Sequence, residues 1–248
     1  MQKKLLNHKR KGSGKPVLFL HGFLESMTMW ENLDLPLEMI MVDLPGHGAS
    51  NMDYFPFESI KDIAVHVQTV ADKLELSQFD VVGHSMGGYV GLELKQIDDR
   101  CEKLVLLNSN FWSDSELKKL DRQRVAELVI NHSKHFIREA IPNLFYKSAE
   151  IAQEIHYLIT EASEMRPEAI AQSSIAMSRR QDFSNQLDKL GSDLYIIQGE
   201  FDSTVPLQSM IERINDSSLD VKVIPNVGHM AHLENRVEVS EALSSILK

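Results

Sequence analysis

The chain has a single cysteine, Cys101, among 248 residues. That excludes a disulfide framework and any metal site built from several thiolates. Its place at the head of the apolar run CEKLVLLN gives it a packing role rather than a chemical one. Long hydrophobic runs are also missing. No stretch reaches the roughly 18–20 apolar residues needed to span a bilayer, so membrane insertion is not expected. Positive charge is in deficit: 26 basic against 36 acidic residues leave a net charge of -10. Such a chain lacks the basic surface that nucleic acid or an anionic membrane would require. The N-terminal MQKKLLNHKRKGSGK is locally basic but carries neither an apolar core nor a small-residue cleavage site. It does not read as a secretory signal, and the cytoplasm is the expected location. Internal repeats, low-complexity tracts and the phosphate-binding patterns G-x-x-x-x-G-K-[ST] and G-x-G-x-x-G are absent as well.

Hydrophobic residues make up 43% of the chain and charged residues 25%, enough apolar material for a sizeable core. The length falls within the ~200–250 residues that α/β folds occupy as one unit, so residues 1–248 are expected to form a single domain. KPVLFLHG, EMIMVDLPG, FDVVGHS, EKLVLLNS, DLYIIQGE and DVKVIPN are continuous apolar runs closing in Gly, Asn or Ser. Strands buried on both faces of a parallel sheet have this composition. KKLLNHKRKG reads as an antiparallel strand leading in. The fold class is therefore α/β, a mostly parallel sheet of about seven strands flanked by helices.

Between the fourth and fifth of those runs, over residues 111–190, the periodicity turns helical. Ser113 and Glu116 have capping-box spacing ahead of a stripe of Leu117, Leu120, Val125 and Leu128. Ser148 is placed to cap a helix carrying Ile151, Ile155, Leu158 and Ile159. Pro167 suits the first position of another, with Ile170, Ser174 and Met177. Three or four helices thus interrupt the sheet.

Gly83-His84-Ser85-Met86-Gly87 fits G-x-S-x-G. The pattern gains weight from its surroundings, since an apolar strand precedes it and a helical pattern follows. A strand–turn–helix of this kind presents a serine as a nucleophile, and small flanking residues tolerate the crowded backbone. A serine hydroxyl is almost wholly protonated at neutral pH, so it needs a base, and the base needs an orienting group. Of the ten histidines, His229 follows the last strand and is the preferred base, with His232 as its rival. Asp202 follows the preceding strand and is the preferred carboxylate over Glu200 and Asp193. The order Ser, Asp, His agrees with that architecture. An oxyanion formed by acyl attack requires two fixed backbone N–H donors. Met86 supplies one, and Phe23 in the His21-Gly22-Phe23 turn supplies the other, with His21 bracing the turn.

Taken together, FLHGF, DLPGHGAS, GHSMGG, QGEFDSTVP and GHMAHLE resemble the α/β-hydrolase superfamily in order and spacing across nearly the whole chain. The resemblance implies that Asp43, Gly46, His47 and Gly48 are scaffold and that residues 111–190 form a helical cap shaping the pocket. Ser85 stands where relatives with an aspartate nucleophile have Asp. Tyr89 stands where the menaquinone-pathway synthase usually has Arg, and His84 where ring-cleavage C–C hydrolases usually have Asn.

The expected activity is cleavage of carboxylic esters of short to medium acyl length through an acyl-enzyme on Ser85, with no metal or organic cofactor. The expected pocket takes Phe23, Leu24 and Met86 from the core and Phe111, Trp112 and Phe136 from the cap. The expected partner is a small-molecule ester, and the expected assembly a monomer or homodimer. Two alternatives stay open. One is a C–C hydrolase or lyase of the synthase type acting on a dicarboxylate, with a clamp drawn from Arg122, Arg124, Arg138, Arg179 or Arg180. The other is a hydrolase-like ligand sensor.

Overall fold

All six apolar runs become strands, and the reason is visible in which face each residue enters. In β2 (Pro16–Leu20), Leu18 and Leu20 join one apolar cluster while Val17 and Phe19 join another on the opposite face. β3 (Glu38–Val42) divides the same way, with Ile40 and Val42 against Met39 and Met41. A strand whose alternate side chains are buried on both faces has no polar side to show, so the period-2 signal vanishes into a continuous run.

The computed structural model describes residues 4–214 and 219–248. The first three residues of the basic N-terminal run therefore lie outside the described residues. Among the described residues one sheet holds seven strands in the order β1-β3-β2-β4-β5-β6-β7. The others are β1 (His8–Lys11), β4 (Phe79–His84), β5 (Cys101–Leu107), β6 (Leu194–Gly199) and β7 (Val221–Ile224). Only β1 runs antiparallel, against β3; the remaining pairs are parallel. Helices α1 (Ile60–Lys73) and α2 (Met86–Ile97) supply the first cluster, and the helix Arg236–Ile246 supplies Val239, Ala242 and Leu243 to the second. Cys101 is buried and its thiol is pushed up to about 12, chiefly by that burial, which leaves it inert.

Between β5 and β6 the chain forms α3 (Glu116–Ala140), α4 (Ala152–Ala162), α5 (Pro167–Ser178) and the short α6 (Leu187–Leu190). Pro167 does open α5. Two details of the sequence reading are corrected. The cap of α3 is Ser115, which accepts from Lys118 N–H, because Ser113 is drawn off to Asp182 by both its N–H and its hydroxyl. Ser148 caps nothing; it opens a 3-10 turn that ends at Ile151, one residue before α4. The stripe on α3 also lies elsewhere. Leu117, Leu120 and Leu128 are exposed, while Ala126, Val129 and Ile137 face inward. The helix bends at His132 (φ -135, ψ 30), so one heptad-like stripe cannot be followed along its length.

Candidate active site

In open parallel sheets, functional groups gather beyond the carboxyl ends of the strands. Ser85 leaves β4 there, Asn108 leaves β5, Asp202 leaves β6, and His229 leaves β7. Ser85 has φ 49 and ψ -114, a left-handed conformation that costs a non-glycine residue on the order of 1–3 kcal/mol. The turn is fixed from both sides: Ser85 N–H donates to the Leu107 carbonyl at 3.1 Å, and the Ser109 hydroxyl donates to the Ser85 carbonyl at 2.6 Å. The flanking glycines are sterically required. A Cβ on Gly83 would stand 2.4 Å from the Gly87 carbonyl oxygen, and one on Gly87 would stand 2.2 Å from that of Leu20.

The Ser85 hydroxyl donates to His229 Nε2 at 2.9 Å, and His229 Nδ1–H donates to Asp202 Oδ2 at 2.8 Å. Asp202 is saturated with donors. Its Oδ2 also accepts from Asn108 Nδ2 at 2.9 Å and Gln198 Nε2 at 2.8 Å, and its Oδ1 from Thr204 and Val205 N–H at 2.8 and 2.9 Å. Burial alone would raise the Asp202 carboxyl, but the His229 ring and these donors outweigh it and hold the carboxyl below its ordinary value. Asn108 and Gln198 were not singled out from the sequence. The signal was a lone amide at the end of an otherwise apolar strand.

The rivals sit elsewhere. His232 is fully buried, 4.6 Å from the His84 ring and 5.1 Å from Trp30, and burial drives its imidazole well below the ordinary value. Glu200 accepts from Asn226 N–H at 3.0 Å, and Asp193 lies near Lys95 at 3.9 Å.

Met86 opens α2 directly after Ser85, so its N–H is one of the helix's first donors, which have no partner inside the helix. His21 Nε2 accepts from Leu44 N–H at 2.9 Å, which leaves Nδ1 protonated to donate to the Gly22 carbonyl at 2.8 Å. Fixing that carbonyl fixes the Phe23 N–H on the opposite edge of the same trans peptide. His47 packs on His21 at 5.1 Å, and burial drives its imidazole down to about 3, as a neutral scaffold group.

Ser85 and His229 open onto a cavity of about 270 Å3. Phe23, Leu24, Glu25 and Tyr89 wall it on the sheet side, and Val125, Phe136, Leu144 and Met177 on the helical side, with Lys118, Asp121 and Arg122 also lining it. Larger clefts of about 620 and 480 Å3 include none of Ser85, Asp202 and His229. Three expected pocket residues, Phe111, Trp112 and Met86, are not part of the cavity. Phe111 is buried in the cluster beneath α1 and α2. Trp112 stacks on it edge-on at 5.2 Å with Arg213 4.6 Å above. The chain leaving β5 turns toward that cluster rather than toward Ser85. The Met86 side chain is wholly buried too, so Met86 meets the site by its backbone alone.

Of the candidate arginines only Arg122 lines the cavity, its Nε held by Asp114 at 2.9 Å. Arg180 lies over the Tyr89 ring at 4.2 Å and is occupied by Asp114 and the Trp112 and Met177 carbonyls. Arg124, Arg138 and Arg179 are exposed. Among the described residues no group of three or more His, Cys, Asp or Glu is arranged to hold a metal ion, and no helix is long and apolar enough to cross a membrane.

Comparison with known proteins agrees with this geometry. A profile of the alpha/beta hydrolase family matches residues 17–242. The chain is 24% identical to 2-succinyl-6-hydroxy-2,4-cyclohexadiene-1-carboxylate synthase from Salmonella agona (strain SL483), over 98% of this chain and 100% of that protein. Its fold is similar to that of a thermophilic esterase from Thermogutta terrifontis solved with malate bound. The TM-score is 0.89 at 29% identity, covering 98% of this chain and 92% of that one. An esterase from Exiguobacterium antarcticum shares the fold at a TM-score of 0.85 and 21% identity, covering 97% and 94% of the two chains.

Proposed function

Because the chain belongs to the alpha/beta hydrolase family, we propose that it is a serine hydrolase cleaving carboxylic esters of short to medium acyl length. The observation that carries this reading is the hydrogen-bonded series Ser85–His229–Asp202, at 2.9 and 2.8 Å, opening onto a cavity between the sheet and the inserted helices. Ser85 Oγ attacks the acyl carbon while His229 Nε2 takes its proton. The negative charge on the acyl oxygen is met by the N–H groups of Phe23 and Met86. His229 then returns the proton to the leaving alcohol, which departs as the acyl-enzyme forms. Water, deprotonated by the same imidazole, releases the acid and restores Ser85. Asp202 holds the tautomer with the proton on Nδ1 and supports the imidazolium as it forms. The route draws on no metal or organic cofactor.

The cavity supports the acyl-length assignment. At about 270 Å3 it lies just under the roughly 300–1,000 Å3 of pockets for drug-sized ligands. Its walls of Phe23, Leu24, Val125, Phe136 and Met177 reward each added methylene by about 0.8 kcal/mol until the space is filled.

A second reading has its own support: Lys118 and Arg122 line the same cavity, and cations there suit a dicarboxylate of the kind the synthase relative's name describes. Comparing kcat/KM over p-nitrophenyl esters from acetate to palmitate, beside a vinylogous dicarboxylate, separates the two. The esterase reading expects a maximum at short to medium chains. Preferential turnover of the dicarboxylate contradicts it, and binding without turnover of any ester would indicate a sensor.

A further inference from the structure

Glu25 and His84 are buried beside the site and take no part in the chemistry described above. Glu25 is 4% exposed and His84 0%. Glu25 Oε2 accepts from Gly22 N–H at 2.6 Å and lies 3.0 Å from His84 Nδ1. The other ring nitrogen, His84 Nε2, is 2.9 Å from the His229 carbonyl. That carbonyl holds no proton, so Nε2 must donate to it. Nδ1 faces the Glu25 carboxylate, and with that group ionised Nδ1 donates as well, which pairs the carboxylate with an imidazolium. The fit leaves no slack: a Cβ on Gly22 would stand 2.8 Å from both Glu25 carboxylate oxygens and 2.9 Å from His84 Nδ1.

We propose that Glu25 and His84 are a buried positioning couple that ties the Gly22–Phe23 turn to the His229 loop, setting the oxyanion donor and the base in register on Ser85. The connection is continuous: Gly22 N–H to Glu25, Glu25 to His84, His84 to the backbone of His229. The proposal rests on the reading of Ser85 as nucleophile and His229 as base. It adds Glu25, which also walls the cavity, and His84, neither of which contacts the Ser85 hydroxyl, and both act through the residues that carry the chemistry.

Its signature is a pH dependence. The groups facing His84 are Glu25, the His229 ring at 5.0 Å, the His232 ring at 4.6 Å and the charge of Asp202; those facing Glu25 are His84 and His21. Burial pushes the His84 imidazole down, but Glu25 outweighs it and holds the group above its ordinary value. Burial pushes the Glu25 carboxyl up, but His84 outweighs it and holds the group below its ordinary value. Each partner thus favours the charged form of the other. The couple opens on the alkaline side as pH rises through the raised His84 value, when a bare Nδ1 lone pair comes to face the carboxylate. It opens on the acid side as pH falls through the lowered Glu25 value.

Glu25→Gln keeps the shape without the charge: one atom serves both Gly22 N–H and His84 Nδ1, so the amide oxygen there accepts from Gly22 and from Nδ1–H of a neutral His84, and the Nε2 donation to the His229 carbonyl is given up. Glu25→Ala removes the link. The test is kcat, KM and the rate of fluorophosphonate labelling of Ser85 from about pH 5 to 10 for the wild-type protein and both variants. Glu25→Ala is expected to lose roughly 10- to 100-fold in kcat and in labelling rate, with KM within about twofold, as misplacement by about an ångström does. Glu25→Gln, which keeps the link to Gly22 but not the charged link through His84, is expected to recover part of that loss at neutral pH and to lack the alkaline fall in kcat that the wild-type protein shows. Should Glu25→Ala not fold, the alkaline limb of Glu25→Gln against wild type decides alone. An identical alkaline limb in the two, wild-type kcat in Glu25→Ala, or a Glu25→Gln variant as impaired as Glu25→Ala overturns the proposal. A wild-type protein that takes no label on Ser85 overturns the nucleophile reading instead, and the positioning role falls with it. The two failures are distinct, because the first leaves labelling of Ser85 intact.

Discussion

Ser85 is held in a conformation it would not choose, and its neighbours are what hold it. The backbone is pinned by Leu107 and Ser109, and the space beside it exists only because Gly83 and Gly87 lack a Cβ. Asp202 is equally over-determined, with donors from His229, Asn108, Gln198, Thr204 and Val205. Replacing it by Asn presents His229 with a donor where an acceptor is needed and favours the wrong tautomer. Asp202→Asn should therefore lose on the order of 10⁴ in kcat with the fold intact, as in the serine-protease triad. It should also change the acid limb of stability. A carboxyl lowered by folding contributes stability present above its ordinary value near 3.9 and lost as pH falls through the lowered one. Urea denaturation across the acid range should show a shallower slope in Asp202→Asn; an unchanged slope would show that this carboxylate is not the one holding the charge. The Ser85–Asp202–His229 arrangement was legible because each member lies at or within a few residues of the end of a strand that announces itself. Asn108, Gln198 and Glu25 were not: an amide closing an apolar strand is the only local mark of the first two, and Glu25 has none. Their importance comes from partners as far apart as Asn108 and Asp202, which only the folded sheet brings together.

The strands were legible for one physical reason, and the buried face of α3 was misread for another. A strand buried on both faces is apolar whatever packs on it, so composition alone finds it. A helix shows its buried face only if one stable neighbour covers it along its length. α3 packs on α5 and contributes Val129 and Ile137 to a cluster with Leu24, Ile170 and Met230, and its bend at His132 rotates the covered face. The Leu117–Leu120–Leu128 stripe was thus assigned to a core that lies elsewhere. Ser113 failed as a cap for a related reason, since its partner Asp182 is remote in sequence. The corrected face predicts an asymmetry. Ile137→Ala, at a site 1% exposed, should cost about 2–5 kcal/mol. Leu117→Ala, at a site 76% exposed, should stay within about 0.5 kcal/mol. Chemical denaturation of the two variants checks this, and a larger loss at Leu117 would restore the original stripe.

Across the whole molecule, the inserted helical segment helps hold the site as well as covering it. His229 N–H donates to the Leu144 carbonyl at 2.8 Å, and Tyr146 N–H donates to Glu234 at 2.9 Å, so the segment after α3 grips the loop that carries the base. On the other flank Glu161 of α4 accepts from Ser26 at 2.9 Å and from Thr28 at 3.0 Å, beside the turn that carries Phe23. The sheet and the insertion thus place Ser85, His229 and the Phe23 turn around one cavity. The most direct test of that arrangement is to treat the protein with a fluorophosphonate and map the adduct by peptide mass, alongside ester turnover in Ser85→Ala. The account predicts a single adduct on Ser85 and a loss of turnover on the order of 10⁶-fold. An adduct on any other residue, or undiminished turnover in Ser85→Ala, would contradict it.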